Sequence, residues 1–158
     1  MRESLKTGIS FGLTSGVITT LGLMVGLNAG THLKMVVLGG ILTIAIADAF
    51  SDALGIHMSE ESKVSNSTKQ VWESTIAAFI TKFVIASSFI IPIITLDLAT
   101  AIYASIIWGI LLIIAVSYFV AKRRGDNPSE IVAEHLIIVL LVIIITHWVG
   151  SFISTRFN

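Results

Sequence analysis

Cysteine is absent from the 158 residues, which excludes disulfides, thiolate metal sites and cysteine nucleophiles while saying nothing about redox compartment. Charge is scarce as well. Only 13% of residues are Asp, Glu, Lys or Arg, ten of each sign, and the net charge is zero, so no general electrostatic attraction to nucleic acid is expected. No nucleophile elbow, zincin motif or phosphate-binding loop is found, and the chain is read as a non-enzyme without a cofactor. Nor is a cleavable signal peptide read: the first apolar run is too long for one, and no A-x-A-like site follows it.

What the sequence has instead is apolar length. Apolar residues make up 54% of the chain and the mean hydropathy is +0.92. A soluble domain of this size buries one core behind a charged surface. Here the charges are swept out of long stretches and gathered at a few points, which makes lipid the expected solvent. Residues 7–33 carry no Asp, Glu, Lys or Arg. At 1.5 Å rise a spanning helix needs about 20 residues, and five such runs are read at 8–28, 32–56, 70–94, 98–121 and 128–154. The third contains Lys82 and is slowed near its far end by Pro92, which a membrane helix tolerates. The fifth opens on Asn127, Pro128 and Glu130 in N-cap, N1 and N3 positions. Runs this long without alternating polarity do not suit a barrel. The prediction is an all-α, multi-pass integral membrane protein, residues 1–158 forming a single five-helix transmembrane domain, in the cell membrane if the source is prokaryotic.

Orientation follows from the basic residues. With the N-terminus inside, Arg2, Lys6, Lys63, Lys69, Lys122, Arg123 and Arg124 fall on the cytoplasmic side, against only Lys34 and Arg156 outside. That is a positive-inside bias, and it places the C-terminus outside.

Two patterns within the spans point to function. Gly8, Gly12 and Gly16 are spaced four apart, and Gly22, Gly26 and Gly30 repeat the spacing. At 100° per residue the second trio is rotated only about 40° from the first, so the six form one slowly drifting groove. Small residues let helix backbones approach closely in lipid, and the stripe is read as a packing face, within the subunit or between the subunits of a homodimer. The second pattern is acidic. Asp48 and Asp52 share one helix face, and Ser51, Gly55 and Ser59 are read as sharing it; the two aspartates lie roughly 13 Å and 7 Å in from the cytoplasmic end near His57. Intramembrane carboxylates are costly unless hydrated, paired or protonated. Two of them with serine hydroxyls make an oxygen site suited to Mg²⁺, Mn²⁺, Fe²⁺ or Ca²⁺, and the same pair can hold protons.

Lys82 lies at about the depth of Asp48 and is the candidate counter-charge. A salt bridge between these two, leaving Asp52 over, is the bland alternative; a tethered competitor for the metal is the functional one. Glu60, Glu61, Glu73, Glu130 and Glu134 gather at the cytoplasmic helix ends, either as a solvated rim or as an acidic vestibule that concentrates cations, with Glu60, Glu61, Glu73 and Glu134 its candidate members. His57 is read as interfacial. His135 and His147 are too far apart along one helix to share a metal, and Trp72 and Trp148 look like interface anchors.

Across nearly its whole length the chain resembles the vacuolar iron transporter family, which includes manganese and calcium transporters and nodulin-like members. The resemblance rests on GLTSGVITTLGLMVGLNAG, ADAFSDALGIHMSEES, SSFIIPIITL and LIIVLLVIIITHWVG, in that order. It implies a homodimer whose first helices meet at a two-fold axis, with metal leaving the cytosol between subunits in exchange for protons. The family's acidic residue in the first helix falls on Ser15. Its Ser-Met and later Gly-Glu pairs fall on Ser51-Asp52 and Gly55-Ile56, so one carboxylate is gone and another has appeared. A carboxylate in place of a thioether at Asp52 favours harder ions such as Mn²⁺ or Mg²⁺ over Fe²⁺. Only residues 57–69 stand where many members carry long cytoplasmic metal-collecting helices. The function expected is proton-coupled export of a divalent metal, with Asp48 and Asp52 as central ligands and Ser15 and Ser51 as auxiliary hydroxyls. The alternatives are a non-transporting scaffold and a proton-coupled transporter of another solute.

Overall fold

A computed structural model describes residues 3–157, so Arg2 of the orientation argument lies outside the described residues. Its helices are α1 (Glu3–Thr31), α2 (Lys34–Thr43), a π-helical turn (Ile44–Asp48), α3 (Ala49–Glu61), α4 (Thr68–Ser88), α5 (Ile90–Thr95), α6 (Leu98–Arg124) and α7 (Pro128–Phe157). There is no strand among the described residues. Grouped by continuity, the helices give five stretches long and apolar enough to cross a membrane: Glu3–Thr31, Lys34–Glu61, Thr68–Thr95, Leu98–Arg124 and Pro128–Phe157.

The helix ends have local causes. Ser67 and Gln70 form a reciprocal capping box at the start of α4, satisfying two backbone donors that the first turn leaves open. Asp97 caps α6 by accepting from the Thr100 backbone N–H at 3.0 Å, and that hydrogen bond holds its carboxyl below the usual range. Gly125 closes α6 in the left-handed region, φ 79°, where glycine has no Cβ penalty.

Two expected continuous spans are interrupted. The second passes through the π turn directly before α3. The third breaks at Phe89, three residues ahead of the proline read as slowing it, because Pro92 has no N–H to offer the carbonyl of Ser88 and its ring crowds that carbonyl.

α1 is the central helix. Gly8, Gly12 and Gly16 lie against α4, while Gly22, Gly26 and Gly30 lie against α7, both running parallel to α1. The stripe therefore packs within the chain, on two successive neighbours, as its drift requires. A groove runs past the second trio, lined by Gly22, Gly26, Leu23, Leu27, Thr146 and Gly150. On α6 a second ridge, Ala101, Ser105, Gly109, Ile113, Ser117 and Ala121, is buried at the same spacing of four and is small at every position but Ile113. Gly109 receives Leu21 and Val17 of α1.

The radial distribution of residues is compatible with a multi-pass membrane protein. Lys82, Ser74, Ser105 and Thr20 have no exposed surface, whereas Trp148 is 67% exposed and Ile144 62%. On α7 only Val139 and Gly150 are buried. The apolar core gathers Val17, Leu21, Met24, Val37, Ile41, Phe89 and Ile93, among others.

Candidate functional site

The glycine stripe determines where the site forms. A Cβ on Gly12 would stand 3.1 Å from the backbone nitrogen of Lys82, and one on Gly16 would stand 3.4 Å from its Cα. At Gly12 only glycine lets α4 come this near, since a Cβ there would stand 2.4 Å from the Ala78 carbonyl oxygen, while at Gly16 the fit is tight, and Ser15, next to Gly16, is carried to the same level. From the other side α3 brings Asp52, and the π turn ends on Asp48. π turns are rare and recur at functional sites. Although Asp48 stands at the N-cap of α3, its side chain makes no capping hydrogen bond and reaches the lysine instead.

Four side chains from three spans thus converge. Lys82 Nζ lies 2.5 Å from Asp52 Oδ2 and 2.5 Å from Asp48 Oδ2, and it donates to Ser15 Oγ at 2.9 Å. Ser15 Oγ in turn donates to Asp52 Oδ2 at 2.5 Å. The lysine side chain is wholly buried, whereas Asp48 is 33% and Asp52 21% exposed. The two carboxylates are not held alike. Asp52 accepts hydrogen bonds from both Lys82 and Ser15, while Asp48 Oδ2 is close to the ammonium yet has no hydrogen-bond partner. A pairing of Lys82 with Asp48 that leaves Asp52 over is therefore corrected: the lysine engages both, and Asp52 more fully. With Asp48 and Asp52 ionised and Lys82 protonated, the cluster carries one net negative charge.

Of the four residues read as metal ligands, Ser15, Asp48 and Asp52 come together. Ser51 does not join them. It is exposed and lines a depression with Leu23, Thr43, Ile44, Ala47 and Asp48, on which the open side of Asp48 faces. Gly55 and Ser59 are also at the surface. Among the described residues no three His, Asp or Glu side chains are grouped to hold a metal, so any cation here would be held by two carboxylates and a hydroxyl.

The acidic residues at the helix ends are individually occupied or exposed. Glu60 is buried, with Lys63 2.5 Å from its Oε1 and Asn66 donating to its Oε2 at 2.8 Å, which ties the end of α3 to the following loop. Glu73 accepts from Ser4 at 2.9 Å. Glu61 and Glu134 are exposed, as is Glu130, which is bound by Asn127 at 2.9 Å.

The histidines stand apart from the cluster. His57 shares a hydrogen bond of 3.0 Å with Thr75, meets Trp72 edge-on, and has Glu61 at 4.0 Å. His135 shares one of 2.7 Å with Ser117, and His147 lines a surface groove with Asn28, Tyr103 and Trp148.

Sequence reasoning overlooked the buried hydroxyls of Thr20 and Ser105, which have no hydrogen-bond partner. Nothing in their sequence context marks them except, for Ser105, the spacing-four ridge of small residues. Compared with known proteins, the chain matches no family model and no curated protein.

Proposed function

We propose that this chain is a multi-pass membrane transporter for a divalent metal cation, exporting it from the cytosol in exchange for protons, with Asp48 and Asp52 as the coordinating pair. One observation carries this reading: two carboxylates of the second span and a hydroxyl of the first meet on a single cation, the Lys82 ammonium of the third, inside the apolar part of the fold. Intramembrane charge of this kind marks ion and proton paths.

The resemblance to the vacuolar iron transporter family adds a second support. The family's first-helix acidic position falls on Ser15, and Ser15 Oγ is 2.5 Å from Asp52 Oδ2. A carboxylate on α3 thus stands beside the place where the first helix has none, so the exchange of residues moves the acidic group without removing it. An all-oxygen donor set suits Mn²⁺ or Mg²⁺ better than softer ions.

The topology proposed is five spans with the N-terminus cytoplasmic and the C-terminus outside. Parallel packing of α1, α4 and α7 is what five full crossings would produce. The end where Ser4 meets Glu73 and Ser74 also holds Lys6, Lys63, Lys69 and Lys122, in keeping with the positive-inside rule. A homodimer is proposed across the groove beside Gly22 and Gly26. A scaffold reading is favoured by one observation, that Lys82 already neutralises part of the acidic charge.

Flux measurements separate the two. Proteoliposomes containing the protein should take up Mn²⁺ with opposed proton movement, read by a pH dye inside. Asp52→Asn should lower the rate by at least about tenfold, since even indirect damage to a metal's ligand shell costs that much. Absence of flux for Mn²⁺, Mg²⁺, Fe²⁺ and Ca²⁺ would favour the scaffold. Full flux in both Asp48→Asn and Asp52→Asn would place the path elsewhere.

A further inference from the structure

We infer that Lys82 is the charge-selectivity element of the site: a built-in monovalent cation that only a dication displaces. The inference rests on the reading of Asp48 and Asp52 as the cation site and adds what that reading leaves open, namely how the site refuses the far more abundant monovalent ions.

The Lys82 ammonium sits where a bound cation would, 2.5 Å from each carboxylate and 2.9 Å from the Ser15 hydroxyl. It is wholly buried and tethered to α4, so it competes intramolecularly, at an effective concentration of roughly millimolar or above. An arriving Na⁺ or K⁺ brings no more charge than the ammonium it must replace, and it gives up hydration and freedom that the tethered group does not. A dication gains twice the Coulomb energy from the same two carboxylates. With Lys82 seated the cluster carries one negative charge; with Lys82 withdrawn it carries two, matching a divalent ion.

The geometry also gives an order of events. Asp48 is the more exposed carboxylate and its Oδ2 touches the ammonium without a hydrogen bond, so it is the contact that yields first. The depression beside Ser51 opens onto this residue. Asp52, held by both Lys82 and Ser15, is surrendered second. When the metal leaves, Lys82 refills the site and spares the protein two adjacent half-buried carboxylates without a counter-charge.

The test is Mn²⁺ binding to the full chain in detergent, followed by electron paramagnetic resonance, in sodium chloride and in choline chloride of equal ionic strength. Wild type should bind equally well in both. Lys82→Met should bind at least about tenfold more tightly in choline, having lost its tethered competitor, and should lose much of that gain in sodium. Lys82→Gln, which keeps a donor for Ser15, serves the same purpose if the methionine variant does not fold. Unchanged affinity and unchanged indifference to sodium in a folded Lys82 variant would overturn the inference while leaving the metal site standing. No Mn²⁺ binding by folded wild type and folded variant alike would overturn the site reading, and the selectivity role with it.

Discussion

Replacing Asp48 and Asp52 together by asparagine should cost roughly 3–5 kcal/mol of stability, the penalty for leaving a buried charge without its partner. The charge left behind is the Lys82 ammonium, which is wholly buried and whose ionic contacts are these two carboxylates. Either single change should cost less, because one carboxylate stays within 2.5 Å of the ammonium. Asp52→Asn should be the worse of the two, since Asp52 also receives the Ser15 hydroxyl. Adding Lys82→Met to the double variant should recover most of the loss, because removing every charge from a buried cluster is often neutral or stabilising, whereas removing one sign is not. Denaturant unfolding in detergent micelles, followed by tryptophan fluorescence, reads all four variants and the wild type on one scale. A double variant as stable as wild type would mean that the ammonium is hydrated in the membrane-embedded protein.

The second large effect is steric. A Cβ on Gly8 would stand 2.2 Å from the Ser74 carbonyl oxygen and 2.8 Å from the Ala77 Cβ, and one on Gly12 would stand 2.4 Å from the Ala78 carbonyl oxygen. Those oxygens belong to helix backbone, so the helices must separate to accept a side chain. Gly8→Leu and Gly12→Leu should each destabilise by about 1–3 kcal/mol or more, the usual cost of overpacking. Gly12→Leu should weaken Mn²⁺ binding as well, because the seam it opens is the one that sets Ser15 against Lys82. Gly39 and Gly55 are the internal controls. Nothing lies within 4 Å of a Cβ at either, so alanine there should be neutral or stabilising by up to about 1 kcal/mol through helix propensity. Thermal unfolding of the four variants distinguishes a packing seam from a general intolerance of change in these helices.

Much of this was legible in the sequence because lipid imposes simple conditions on a chain. Charge-free runs located the spans, and the read boundaries of 8–28 and 98–121 compare with helices at Glu3–Thr31 and Leu98–Arg124. The spacing of Asp48 and Asp52 put them on one face, and counting residues put Lys82 at a matching depth. Depth is additive along a helix, but the direction in which a side chain points around its axis depends on how neighbours are rotated. That is why the contact of Lys82 with Asp52 was not foreseen, and why Ser51, about 100° around the helix from Asp52, faces the surface instead of the cluster. The π turn was hidden for a related reason. Ile-Ala-Ile-Ala-Asp has no signature distinguishing it from α-helix, and the turn arises from a shift of backbone hydrogen bonds. The six glycines announced close packing without naming the partner, which proved to be α4 for one trio and α7 for the other.

The most direct measurement is the location of Mn²⁺ itself, by anomalous scattering from crystals of the protein grown with Mn²⁺, compared with crystals grown without it. One strong peak between the carboxylates of Asp48 and Asp52, with the Lys82 ammonium moved away from both, is the expected result. Lys82 still seated on the two carboxylates at saturating Mn²⁺, with no peak beside them, would contradict a cation site at this position.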